Sequence, residues 1–281
     1  MIITKTRSEL AQILEKERQK GRKIGFVPTM GALHAGHISL IEASKKNTDV
    51  TVASIFVNPT QFNDPKDLER YPRMPEKDAL MLEKAGCDVL FLPDVKEIYP
   101  EPDKRIFDFG QLDKVLDGAH RPGHFNGVGQ VVSILFDFVK PDKAFFGTKD
   151  YQQLLIIKEL VRQLKLNIEV IGCPIFREPD GLAMSSRNML LSTEEREAAA
   201  LVPVVMKEAK KLKESGHSIG EIQNFVTKKF SQNPIYKLDY YEICNASTLS
   251  PLDSLNKGVK SISLIAVFVG KIRLIDNLAL D

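Results

Sequence analysis

Short apolar, β-branched runs recur through the first two thirds of the chain, at residues 24–28, 50–57, 88–92, 143–146 and 168–172. Between them lie stretches with apolar positions at helical spacing, at 6–20, 36–47, 75–86, 126–139 and 149–165. A strand buried on both faces needs a near-continuous apolar run, and parallel pairing needs a helix-length crossover between strands. The alternation therefore predicts an α/β fold with a doubly wound parallel sheet, in which ligands bind outside the carboxyl ends of the strands. After about residue 176 the pattern changes. FREPDGLAMSSRN is polar and rich in turn residues, two helical stretches follow at 194–215 and 218–231, and strand-like runs occupy 237–244 and 260–275. This predicts a second, smaller α+β domain over 177–281 beside a first over 1–176.

A chain of 281 residues accommodates two such units. Its 39 basic and 37 acidic side chains leave a net charge of +2, too balanced for a surface that coats a polyanion, so nucleic acid is disfavoured as a partner. No apolar run is long enough to span a bilayer, and the first residues lack a basic segment followed by an apolar one, which predicts a cytoplasmic protein with no membrane partner. The cysteines, Cys87, Cys173 and Cys244, are odd in number and widely spaced, which argues for buried thiols rather than disulfides or a zinc site.

Four segments stand at the predicted strand ends or between the domains. In GFVPTMGALHAGH (25–37), a strand runs into a glycine turn and a helix start, and His34 and His37 are three residues apart. That spacing puts both imidazoles on one side of a helix N-terminus, where amide N–H groups and the helix dipole attract phosphate. Capping or packing is the bland alternative for this pair, while zinc is disfavoured because neither HExxH nor a third ligand is present. In FVNPTQF (56–62), Asn58 and Gln61 are neutral amides suited to hydroxyls and carboxylates, although an Asn-Pro turn that merely ends the strand explains them equally well.

In FFGTKDYQQL (145–154), Lys149 stands at a predicted helix start, where its charge opposes the dipole unless an anion shares the site. Asp150 and Gln153 lie within reach of the same cavity, though a carboxylate at a helix start is also favourable in itself. LAMSSRNMLLS (182–192) offers Ser185, Ser186 and Arg187 on a connection between the domains, either as solvated loop residues or as donors that close over phosphates. In AHRPGHFNGVG (119–129), Arg121 is a lesser candidate for an anion, whereas His120 and His124 read as structural.

Taken in order and spacing, GALHAGH, NPTQF, GTKDYQQ and MSSRN resemble the pantoate–β-alanine ligase family. HxGH alone would equally suit cytidylyltransferases, pantetheine-phosphate adenylyltransferases and class I aminoacyl-tRNA synthetases, which share a nucleotide-binding superfamily. The resemblance implies a Rossmann-like N-terminal domain, a C-terminal lid domain, a homodimer, dependence on magnesium, and substrates ATP, pantoate and β-alanine. It implies a pantoyl-adenylate intermediate with release of AMP and pyrophosphate. Carried over by motif, Met30, Gly31, Ala32, Leu33, His34, Ala35, Gly36 and His37 would line the ATP site, with His37 as proton donor. Gly147, Thr148, Lys149 and Asp150 would contact ATP, as would Phe176 through its backbone. Met184, Ser185, Ser186 and Arg187 would form the loop that closes on the phosphates, and His34, His37, Lys149 and Arg187 would be the catalytic set. Gln61, Gln153 and Asn58 would hold pantoate or β-alanine. Where some members carry adjacent acids after the YPR segment, this chain has Lys77 beside Asp78. No protein ligand to magnesium is assigned, and the ion is expected on ATP oxygens.

Overall fold

The computed structural model describes residues 1–63, 65–255 and 258–280. Among these residues the chain forms two compact units, one of Met1–Thr148 with Gln152–Pro174 and one of Lys149–Tyr151 with Ile175–Asp281.

The first unit is built on a six-stranded parallel sheet, with strands β1 (Ile2–Thr4), β2 (Ile24–Thr29), β3 (Val50–Ile55), β4 (Val89–Phe91), β5 (Lys143–Gly147) and β6 (Glu169–Cys173) in the order β1-β4-β3-β2-β5-β6. Alternate residues of each strand face opposite layers. Ile24, Phe26, Val50, Val52, Ala144 and Phe146 pack against helices Arg7–Gln19, His124–Val139 and Tyr151–Gln163. Val27, Ala53, Ile55 and Phe145 pack instead against helices Ala35–Asn47 and Pro75–Lys84. Helices therefore cover both faces, which is the doubly wound, Rossmann-like arrangement and explains why the strands are apolar throughout.

The chain builds outward from β2 through β3 to β4, and then starts again at β5 on the other side of β2. The order reverses between β2 and β5, which is where such sheets leave a crevice. These two strands pair only at Gly25 and Phe26, and then separate. Pro28 fits this divergence. The Thr29 carbonyl accepts from Phe56 of the β3 side, so its neighbour Pro28 faces the β5 side, where pairing has already ended and no amide donor is required.

The second unit has a three-stranded antiparallel sheet of β7 (Tyr236–Asn245), β8 (Ser261–Val269) and β9 (Ile272–Ala279). Helices Leu201–Glu214 and Ile219–Ser231 cover one face through Val202, Val205, Met206, Ile222, Val226 and Phe230 against Tyr241, Ile243, Ile265 and Val267. The single run at 260–275 is thus two strands. Gly270, at φ 57, takes the first position of a two-residue hairpin turn that demands a left-handed residue. The helical stretch 194–215 is likewise two helices, Thr193–Ala199 and Leu201–Glu214. Pro203 lies in the first turn of the second, where amide donors have no intrahelical partner to lose. Strand β1 escapes the pattern because it has three residues at the sheet edge, with Ile2 and Ile3 half exposed.

Candidate active site

Strand β2 ends at Thr29, whose hydroxyl accepts from the Gly31 amide and donates to the Ser54 carbonyl. Gly31 (φ 84) and Ala32 (φ 51) are both left-handed, and they turn the chain into the helix that begins at Ala35. His34 is the N-cap of that helix. Its Nδ1 accepts from the Gly36 amide at 3.2 Å, and Nδ1 of His37 accepts from the His34 amide at 3.3 Å, a reciprocal capping box made by two imidazoles. Their rings lie 4.1 Å apart between centroids. An acceptor at Nδ1 requires its lone pair, so this network assigns the proton of each neutral ring to Nε2. Capping and chemistry are therefore compatible: one nitrogen of each ring organises the helix start and the other carries a proton.

The turn after β3 is held from several sides. Asn58 is 1% exposed; its Oδ1 accepts from the Tyr99 hydroxyl at 2.8 Å and from the Thr60 hydroxyl, while Nδ2 donates to the Gly127 carbonyl and to Oε1 of Gln61. Burial pushes the Tyr99 phenol up from its ordinary pKa, and its hydrogen bonds to Thr60 and Asn58 oppose that only in part, so it stays a neutral donor. With its oxygen fixed by Asn58, Gln61 directs Nε2 onto Sδ of Met30 at 2.9 Å. The amide from the β3 turn is thereby placed against the first residue of the histidine turn. His124 supports it from behind: buried at the start of helix His124–Val139, it donates from Nδ1 to the Gln61 carbonyl at 2.8 Å, and Nε2 faces Arg121 at 3.1 Å. The helix itself approaches so closely that a Cβ on Gly127 would collide with the Thr60 carbonyl. His124, expected to be structural, thus touches the backbone of the residue that carries a candidate substrate amide.

At the carboxyl end of β5, Gly147 is followed by a single 3-10 turn, Thr148–Asp150, before the helix Tyr151–Gln163. The two adjacent glutamines of that helix divide. Gln152 is buried, donates to the carbonyls of Leu112 and Val115, and accepts from the Asp117 amide, whereas Gln153 is half-buried.

The family model described as Pantoate-beta-alanine ligase matches residues 2–279 of this chain. The chain belongs to the pantoate–β-alanine ligase family. A pantothenate synthetase of Porphyromonas gingivalis is 47% identical over 278 residues, covering 99% of each chain. The crystal structure of pantothenate synthetase from Thermus thermophilus superposes with a TM-score of 0.93 at 41% identity, covering 100% of this chain and 99% of that one. The ligase from Francisella tularensis, solved in complex with β-γ ATP and β-alanine, superposes at 0.84 with 38% identity, covering 100% of this chain and 98% of that one. The chain is accordingly an acid–amine ligase of pantothenate biosynthesis.

Lys149, Asp150 and the MSSRN segment belong to the second unit. Lys149 has a largely buried side chain, with Nζ 3.9 Å from the exposed Asp150 carboxylate, and its carbonyl accepts from Nδ2 of Asn277 at 2.8 Å. Arg177 makes a bidentate pair with Asp276 at 2.7 and 2.9 Å, and Asp276 Oδ1 also accepts from the Asn277 amide. This anchors the base of the loop that carries the serines and Arg187. Within it, Met184 donates its amide to the Phe176 carbonyl, and Ser185 caps the turn Ser186–Leu190 by accepting from the Arg187 amide. Ser186 is buried, Phe176 exposed and Arg187 half-buried.

Among the described residues no three His, Cys, Asp or Glu side chains are grouped to hold a metal, and no helix is long and apolar enough to cross a membrane. Asp78, the acid after the YPR segment, is fully buried with both oxygens committed to the backbone amides of Ala32 and Leu33, while Asp150 faces outward. A magnesium cage made of protein groups does not fit this arrangement.

Proposed function

We propose that the enzyme works in two steps, with pantoyl-adenylate between them. A carboxylate oxygen of pantoate attacks the α-phosphorus of ATP and pyrophosphate leaves. The amine of β-alanine then attacks the acyl carbon, loses a proton, and AMP leaves. Magnesium enters as part of the nucleotide substrate, bound to phosphate oxygens and water. His34 and His37 donate from Nε2, and Lys149 and Arg187 supply cationic donors, to the charge that develops on the phosphates; this is positioning and electrostatics without a covalent enzyme intermediate. Ser185, Ser186 and the backbone of Met184 and Phe176 belong to the same nucleotide site, and the second domain acts as a lid that keeps water from the adenylate. The protein functions in the cytoplasm as a homodimer.

The observation that carries this reading is the contact of Gln61 with Met30, which sets a neutral amide donor against the start of the turn that leads to the two histidines. A hydroxy acid held there, and by Gln153, would have its carboxylate next to a phosphate-binding helix start. The test is isotope exchange. Labelled pyrophosphate should enter ATP when pantoate is present and β-alanine absent. Exchange that needs β-alanine, or release of ADP and phosphate, would overturn the adenylate route, and exchange without pantoate would indicate a nucleotidyltransferase.

Gln61→Ala and Gln153→Ala should raise the KM for pantoate at least tenfold, the scale of one lost hydrogen bond to a charged group, and leave the KM for ATP within about twofold. Initial rates with each substrate varied in turn decide it. Equal losses for both substrates would make the glutamines supports of the fold.

A further inference from the structure

The turn that carries the histidines contains two consecutive left-handed residues, and only the first is glycine. A Cβ on Gly31 would stand 3.0 Å from both Oδ2 of Asp78 and Cγ2 of Ile55, so the turn is pressed against a side chain from another helix. Ala32 has no glycine's freedom at φ 51, and it stays there because something holds it. What holds it is Asp78. This residue is in the first turn of helix Pro75–Lys84, is 0% exposed, and accepts from the Ala32 amide through Oδ2 and the Leu33 amide through Oδ1, each at 2.8 Å.

Successive amides in a turn of this kind form a concave anion site, which in many nucleotide-binding proteins receives a phosphate. Here it is filled from within by a carboxylate. The two amides are spent on the protein itself, so the turn is shaped before any nucleotide arrives.

We propose that Asp78 is the positioning residue of the catalytic turn: its buried carboxylate fixes the backbone at Ala32 and Leu33, and through it the cap that sets the His34 and His37 tautomers. Leu33 is followed directly by the N-cap His34, so a swing of the 32–33 peptides redirects the cap and the imidazole hydrogen bonds built on it. Both oxygens serve amides, which separates this role from that of a magnesium ligand. The consequence for catalysis rests on the function proposed above for the two histidines; the clamp itself does not.

The decisive variant is Asp78→Asn. It keeps the shape of the side chain and one acceptor, but turns an NH2 toward the other amide, so two donors face each other. The kcat should fall ten- to a hundredfold with the KM for pantoate within about threefold, and Asp78→Glu should not restore it. Imidazole 15N spectra should show His34 and His37 fixed as Nε2–H tautomers in the wild type and averaging between tautomers in the variant. Leu82→Ala, a cavity at a fully buried position on the same helix, serves as the control for lost stability alone. It should lower the unfolding midpoint with kcat within about twofold and tautomers unchanged.

If Asp78→Asn does not fold, amide exchange in the wild type still decides the matter. Ala32 and Leu33 should be protected at least a thousandfold over free-peptide rates. Unprotected amides, unaltered tautomers in Asp78→Asn, or a loss of tautomer order in Leu82→Ala would overturn the clamp. So would a variant whose kcat is restored by excess magnesium, since that would make Asp78 a metal ligand. The spectra and exchange rates need no substrate, so a failed clamp is distinguishable from a failed adenylate mechanism.

Discussion

Lys149→Ala should cut the rate of adenylate formation by about a hundredfold or more, the usual scale for removing a preorganised donor from developing charge. The lysine stands at a helix start with its side chain largely buried, an arrangement that a bound anion rationalises. His37→Ala should have an effect of the same size, but it also deletes half of the capping box. His37→Gln separates the two contributions. A glutamine at the third helical position can still reach back to the His34 amide, as it does in ordinary capping boxes, yet it offers no imidazole. The expected outcome is wild-type thermal stability with the same hundredfold loss. Pre-steady-state measurement of pyrophosphate release in folded protein checks both variants, and near-normal rates in His37→Gln would reduce the histidine to a cap.

Arg177→Met should cost about 3 kcal/mol of stability, because it leaves the Asp276 carboxylate, 2% exposed, as an uncompensated buried charge. Asp276→Asn should cost less. The arginine side chain is 27% exposed, so water reaches the guanidinium, and its bonds to the carbonyls of Gly181 and Asn277 survive. The order of the two variants is thus fixed by which partner is left dry. Arg177→Lys should fall between them, since an ammonium cannot reproduce the bidentate fork. Urea midpoints by circular dichroism, with hydrogen exchange of the peptides spanning 175–183 and 272–279, measure the effect and locate it. A milder loss in Arg177→Met than in Asp276→Asn would contradict the burial argument.

The parallel sheet was legible because burial on both faces leaves a continuous apolar run, and strands β2 to β6 of that sheet begin and end within a residue or two of the expected spans. The second unit was harder to read. A two-residue turn inside an apolar stretch is marked only by Gly270, and nothing local tells it from an ordinary strand glycine. At the candidate site, the histidines, Gln61 and Lys149 stand out because their chemistry is unusual for strand ends.

The residues that hold them in place do not stand out. Asp78 looks like any acid in a helix's first turn, Tyr99 and Asn277 like surface polar residues, and His124 like a loop histidine. Each acts on a residue far along the chain, at Ala32, Asn58, Lys149 and Gln61 respectively, and such contacts leave no periodic signature in sequence. The capping role of His34 and His37, which reads as an alternative to a chemical one, occupies only Nδ1 of each ring and leaves Nε2 for the role proposed above.

The three cysteines are all buried, Cys87 just before β4 and Cys173 at the end of β6 in the first unit, and Cys244 in β7 of the second. Burial pushes the Cys87 and Cys244 thiols up to about 12, and raises that of Cys173 as well. Since the thiolate is the species that reacts, an alkylating reagent should find almost nothing to modify at neutral pH in the native protein. Reaction must wait for the surrounding structure to open. The chain therefore carries a built-in clock for each half. Under brief alkylation at increasing denaturant, the denaturant at which Cys244 becomes modified reports the opening of the C-terminal unit, and modification of Cys87 and Cys173 reports that of the sheet. Coincident modification at all three would mean that the halves unfold as one, and staggered modification would rank their stabilities without any engineered probe.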